Sequence, residues 1–180
     1  MPNYIDKVKL YTDGGCRGNP GPGAIAFRIL DENNSELESY CECIGETTNN
    51  RAEYHALIKG LECSAKHTRG IVNCFLDSEL VIKQVTGLFR LKNDVLRTLF
   101  YNVKQKESPF EKVTYQHLKR TNPLIKKVDT LVDKALEGGY ICFGSAKFGQ
   151  MRAFLKLQII CDNLKLGEMH DNREKVQNFA

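Results

Sequence analysis

Four acidic residues in the 180-residue chain share settings that suit chemistry better than solubility. Asp13 ends an alternating segment, Val8–Asp13, and Gly14 and Gly15 follow at once. Asp77 closes the almost wholly apolar run Gly70–Leu76. Glu53 falls beside Ala52 and four residues before Leu57, at the edge of an apolar helical stripe, where an acid is either paired or bound to a cation. Asp129 borders the stripe Ile125, Val128, Leu131, Val132 and Ala135. If the segments that end in Asp13 and Asp77 are neighbouring strands, these acids project together from one end of a sheet. Carboxylates a few Å apart repel and cannot all stay ionised without cations. An oxygen-only donor set suits Mg²⁺ or Mn²⁺, which keep waters and accept phosphate oxygens. Two such ions ~4 Å apart could clamp the attacking water and the leaving oxygen of a phosphodiester. The plain alternative is a hairpin in which Asp13 only caps the turn.

The elements that must position these acids can be read from periodicity. Val8, Leu10 and Thr12 alternate with Lys9, Tyr11 and Asp13, the pattern of a strand. Cys16–Gly23 is a turn of Gly, Pro and Asn. Ala24–Leu30 and Glu36–Glu46 read as second and third strands, completing a meander. Thr47–Glu53 looks like a helix entry, with Thr48 or Asn49 as cap, and the helix is expected to run to about Lys66. Gly70–Leu76 reads as a buried parallel strand. Ser78 caps a short helix over Glu79–Val85, and Phe89–Lys106 forms an amphipathic helix. Val113–Leu118 is a fifth strand and Leu124–Leu136 the helix after it, stopped by Gly138-Gly139. The expected fold class is α/β: a five-stranded mixed sheet, three antiparallel strands and then parallel ones, flanked by helices.

Composition sets the outer bounds. Hydrophobic content of 42% and charged content of 27% are those of a globular protein. No stretch approaches the ~18 apolar residues of a membrane span, so no membrane partner is expected. The opening residues lack a signal-peptide core, which makes a cytoplasmic location the expectation. Seven scattered cysteines without a CxxC pair argue against zinc or a disulfide framework. The net charge of +4 is uneven. Ten Lys/Arg face three acids between Gly87 and Lys127, the footprint of a polyanion-binding surface, although for any single lysine a solvated face is the simpler reading.

The stretches YTDGGCRGNPGPGA (Tyr11–Ala24), TTNNRAEYHALIKGLE (Thr47–Glu62), LDSELVIKQVTG (Leu76–Gly87) and, less closely, HLKRTNPLIKKVDTLVDKAL (His117–Leu136) resemble type 1 ribonuclease H. The resemblance covers about residues 6–136. It implies the RNase H-like fold, with Asp13, Glu53, Asp77 and Asp129 binding two Mg²⁺ ions, and hydrolysis of the RNA strand of an RNA–DNA hybrid. It further implies that Gly14, Gly15, Cys16, Arg17, Asn19, Asn49, Asn50 and Ser78 line the nucleic-acid groove, where open amides and short polar side chains can read 2′-hydroxyls. The tryptophan-rich basic handle of many members is missing, since the chain has no tryptophan, so it is similar to the handle-less archaeal and bacterial branch. No histidine matches the family's flexible-loop histidine. His117 lies inside a strand, where packing or hydrogen bonding is expected of it, and Arg120 is the stand-in. Valine in place of a small residue before Asp129 leaves Asp133, four residues on, as an alternative fourth carboxylate.

Residues 138–180 lie outside the resemblance, which gives an RNase H domain over 1–137 and a C-terminal extension over 138–180. Gly138–Gly144 reads as a linker and Ser145–Leu166 as a helix too broadly apolar to stand in water. Packing back on the domain, a homodimer contact and a protein-docking role are the options for 145–166, while Asp171–Ala180 is expected to fray. Two other functions compete with hybrid hydrolysis. A non-catalytic hybrid- or duplex-binding module would show salt-sensitive binding without cutting. A nuclease for double-stranded RNA or ribonucleotide junctions would share the site and differ in substrate.

Overall fold

A computed structural model describes residues 4–138 and 142–144 of the chain. Three long strands open it: β1 (Lys7–Cys16), β2 (Gly21–Leu30) and β3 (Glu36–Thr47). Helix α1 (Asn49–Ser64), strand β4 (Ile71–Leu76), helices α2 (Glu79–Val85) and α3 (Asp94–Glu107), strand β5 (Lys112–His117) and helix α4 (Pro123–Gly138) follow. β1 pairs antiparallel with β2, β2 antiparallel with β3, β1 parallel with β4, and β4 parallel with β5. The expected five-stranded mixed sheet is therefore present, in the order β3-β2-β1-β4-β5.

Period-two alternation divides the apolar residues between the two faces of the sheet. Val8, Leu10, Phe27, Ile29, Val72 and Cys74 meet Tyr54, Leu57, Leu61, Val81, Leu99 and Val103 of α1–α3. Tyr11, Ala24, Ala26 and Cys41 meet Ile125, Val128, Val132 and Ala135 of α4 on the other face. The small alanines on that second face let α4 lie close to the sheet.

Several boundaries differ from the sequence expectation. A three-residue strand, β6 (Cys142–Gly144), pairs antiparallel with β3 at the sheet edge, where a linker was expected. Its pairing is with residues about a hundred positions away, so no local signal announces it. Helix α3 starts at Asp94 rather than Phe89, because the Asn93 side chain accepts from the Leu96 amide at 3.1 Å and fixes the first turn there. Helix α1 ends at Ser64, two residues before the expected Lys66. The expected helix over 145–166 and the terminal residues 171–180 lie outside the described residues. Among the described residues, no helix is long and apolar enough to cross a membrane.

Candidate active site

The parallel pairing of β1 with β4 ends with Tyr11 opposite Phe75, so two residues on Asp13 and Asp77 lie side by side. Asp77 is just past the end of β4, whereas Asp13 is still paired with Ala26 in β1, which runs on to Cys16 instead of ending at Asp13 as expected. A site at the carboxyl ends of adjacent parallel strands is the usual arrangement in open α/β sheets. Helix α1 crosses β1 at Gly14, and this brings Glu53 to the same place. One carboxylate oxygen from each of Asp13, Glu53 and Asp77 lies within 4.8 Å of the other two. Among the described residues no other group of three acid, histidine or cysteine side chains is gathered so tightly.

The trio is dry. Asp13 is 1% exposed and Glu53 9% exposed. Both oxygens of Asp13, Oε2 of Glu53 and Oδ1 of Asp77 are buried without a hydrogen-bond donor. Unpartnered buried carboxylate oxygens are costly to a fold. Burial first, then the charges of Asp77 and Asp129, push the Asp13 carboxyl up to about 7, with Arg120 acting the other way. Burial, then Asp13 and Asp77, hold Glu53 well above the usual carboxylate range, again opposed by Arg120. Converging oxygens with no protein donor are the donor set of a hard divalent cation, so the residues present fit such an ion.

Asp129, on α4, is half-buried at the rim, and its charge reaches Asp13. Its Oδ1 accepts from Nη2 of Arg120 at 2.8 Å, and Nε of Arg120 lies 3.6 Å from Oδ2 of Asp77. Asp133, one turn further along α4, is exposed. The fold thus turns Asp129 towards the trio and leaves Asp133 in solvent. Position in the sequence placed Arg120 in the loop before α4, but nothing local showed that its side chain would span two of the acids.

The β1–β2 turn and the start of α1 form a continuous polar rim. The backbone amide of Cys16 donates to Oδ1 of Asn49 at 2.9 Å, and the Cys16 thiol lies 3.1 Å from the same oxygen. The amide of Asn49 donates to Oδ1 of Asn19 at 3.3 Å. Neither Thr48 nor Asn49 caps α1 with its side chain, contrary to expectation: Asn49 is committed to the turn instead. Arg17, Asn19, Asn49 and Asn50 are exposed, Gly15, Cys16 and Ser78 are half-buried, and Gly14 is buried. The Ser78 hydroxyl accepts from the Val81 amide at 3.4 Å as the cap of α2. His117 sits in β5 with Nε2 3.1 Å from the Asp77 carbonyl oxygen, a hydrogen-bonding role.

Comparisons with known proteins agree with this geometry. The RNase H family profile matches residues 6–132. Ribonuclease HI of Halobacterium salinarum is 32% identical over 137 residues, which cover 76% of this chain and 68% of that protein. The crystal structure of RNase H1 from the same halophilic archaeon aligns with a TM-score of 0.70 over 73% of this chain and 98% of the other. A bifunctional protein of Mycobacterium tuberculosis is 34% identical, and this chain spans 32% of its length. LC11-RNase H1, isolated from compost by a metagenomic approach, is 35% identical in a crystal structure with an RNA/DNA hybrid, with a TM-score of 0.63 over 72% of this chain and 99% of the other. With the profile covering most of its length, the chain belongs to the RNase H family.

Proposed function

We propose that the chain is an endonuclease that hydrolyses the RNA strand of RNA–DNA hybrids, with Asp13, Glu53, Asp77 and Asp129 holding two divalent cations. The observation that carries this reading is the set of buried, donor-less oxygens on Asp13, Glu53 and Asp77 at one end of the sheet. Two Mg²⁺ ions, or Mn²⁺ in their place, would supply the Lewis acidity that activates a water for in-line attack and stabilises the departing 3′-oxygen.

The rest is the work of the protein's own residues. Asp13 is the least exposed of the three acids and has an oxygen within 4.8 Å of one on both Glu53 and Asp77, so it is suited to be a shared ligand. The apolar packing beneath it keeps water out and the local dielectric low, which strengthens each ionic contact. Glu53 is held by a long helix and Asp77 by a central strand, so neither has to reorganise when substrate arrives. Asn19, Asn49, Asn50 and Arg17 line the adjacent rim, where short polar groups can take 2′-hydroxyls and phosphates across a shallow minor groove. Ser78 and Arg120 flank the acids on the other side. Phosphate and sugar contacts carry no sequence information, so base identity should matter little. The hybrid-bound structure of LC11-RNase H1 supports the substrate class.

The test is cleavage of a hybrid labelled in the RNA strand, with and without Mg²⁺ or Mn²⁺, beside double-stranded RNA and duplex DNA. Cutting of the hybrid alone, dependent on the ion and reduced at least about a hundred-fold by Asp77→Asn, is the expected result. Full activity of Asp77→Asn would sink the mechanism. Preferential cutting of double-stranded RNA would redirect the substrate assignment.

A further inference from the structure

The loop before α4 carries a permanent cation into the acid cluster. Arg120 holds Asp129 Oδ1 at 2.8 Å from Nη2, and its Nε lies 3.6 Å from Asp77 Oδ2. Its side chain is nonetheless 67% exposed, so the guanidinium reaches the carboxylates from solvent and is not packed in place. The backbone around it does not depend on that contact. The Leu118 amide donates to the Leu76 carbonyl at 2.8 Å, the Asn122 amide to the Lys119 carbonyl at 2.8 Å, and the Leu124 amide to the Asn122 side chain at 2.9 Å. A loop fixed on both sides can release one side chain without unfolding. The guanidinium is ionised at every relevant pH. Once released, it leaves behind two carboxylates whose oxygens are what a divalent ion would take.

We propose that Arg120 is a built-in competitor for divalent cation: in the protein without metal it occupies the Asp77–Asp129 side of the cluster, weakens uptake of an ion there, and is displaced when that ion binds. The inference rests on the metal-site reading above and adds to it a residue that regulates occupancy. Two cationic groups on the same Asp129 oxygen would repel strongly in a half-dry site, so guanidinium and ion exclude each other. The contact also neutralises part of a cluster that would otherwise be strongly self-repelling in the absence of metal. A competitor of this kind keeps the site intact at low ion concentration and shifts its occupancy to higher ion concentration.

The experiment is Mn²⁺ titration of the full chain in the absence of nucleic acid, with free Mn²⁺ followed by electron paramagnetic resonance and thermal melting recorded at each concentration. Wild type, Arg120→Gln and Arg120→Lys are compared. The expected result is Mn²⁺ binding about three- to ten-fold tighter in Arg120→Gln, with a lower melting temperature without metal and a larger rise on adding it. Arg120→Lys, which keeps the charge and loses the planar fork, should fall between the two. Added monovalent salt should narrow the difference between variants by screening. Equal affinity in Arg120→Gln and wild type, with Mn²⁺ bound by both, would overturn the competition and leave the metal site standing. Weaker affinity in Arg120→Gln would overturn it by making Arg120 a residue that positions Asp129. No Mn²⁺ binding by any of the three would overturn the metal site together with the competition.

Discussion

Gly14 of β1 and Ala52 of α1 touch backbone to backbone: a Cβ placed on Gly14 would stand 2.3 Å from the carbonyl carbon of Ala52 and 2.6 Å from the amide nitrogen of Glu53. The absence of a side chain at one position therefore sets the distance between Asp13 and Glu53, their immediate neighbours in the chain. Gly14→Ala should push α1 off the strand. The expected cost is about 1–3 kcal/mol or more in denaturant melts, because the obstructing atoms are backbone and cannot swing aside. Mn²⁺ affinity should fall in the same variant as Glu53 moves away. A variant with wild-type stability would show that the helix can retreat freely.

The raised carboxyls make stability without metal depend on pH in a definite direction. Asp13 goes from an ordinary value of 3.8 up to about 7 in the folded protein, and Glu53 is raised as well. Between those values the folded state holds a proton that the unfolded chain has released, so stability falls as pH rises, by about 1.4 kcal/mol per pH unit for each such group. Below about pH 4 the penalty vanishes, and above about 7 Asp13 adds nothing further. Divalent ions bind the ionised form, so Mg²⁺ or Mn²⁺ should raise the melting temperature much more at pH 8 than at pH 5.5. Melting curves over this range with chelator and with Mn²⁺ would check both signs. A metal-induced shift independent of pH would contradict the ionisation scheme.

Asp129 and Asp133 separate cleanly in three dimensions although they share one face of a helix in sequence. Asp129 feels Asp13 and binds Arg120, whereas Asp133 is exposed. Asp129→Asn should lower hybrid cleavage by about ten-fold or more, while Asp133→Asn should stay within about two-fold of wild type. The reverse ranking in steady-state assays would reassign the fourth ligand.

Asn49 ties the β1–β2 turn to the first turn of α1 through the Cys16 amide. Asn49→Ala removes that acceptor and should cost about 1 kcal/mol, and roughly five-fold in hybrid affinity, as the turn loosens. Mn²⁺ binding should be unchanged, because no site acid touches Asn49. Fluorescence anisotropy with a labelled hybrid and the Mn²⁺ titration together distinguish a rim effect from a metal effect. Loss of both would show that the turn also supports the acids.

The sequence by itself determined the elements and the types of residue at their ends. Alternation in β1 and β2, the apolar run of β4 and the helical stripe of α4 each follow from local patterning, because one face of each element must be buried. The family was readable from the motifs around Asp13, Glu53 and Asp77, the three acids that the structure gathers, while the sequence left the fourth open between Asp129 and Asp133. The start of α3 was misjudged from the apolar residues Phe89 and Leu91, when the Asn93 cap was the stronger signal.

What only the tertiary structure decided is what depends on residues far apart in the chain. The three-residue β6 exists by pairing with β3 and has no period of its own. Asn49 gave up helix capping for a contact with Cys16, which no neighbour in sequence foretells. Asp129 and Asp133 each follow a buried valine by one residue and so leave α4 on the same face. Position along the helix separates them, putting Asp129 beside Arg120 and within reach of Asp13 and leaving Asp133 exposed. The span of Arg120 across Asp77 and Asp129 likewise required two strands and a helix to meet. Local patterning records which residues must be buried. Convergence of charges is set by the geometry of packing, and that geometry appears only when the sheet and its helices are assembled.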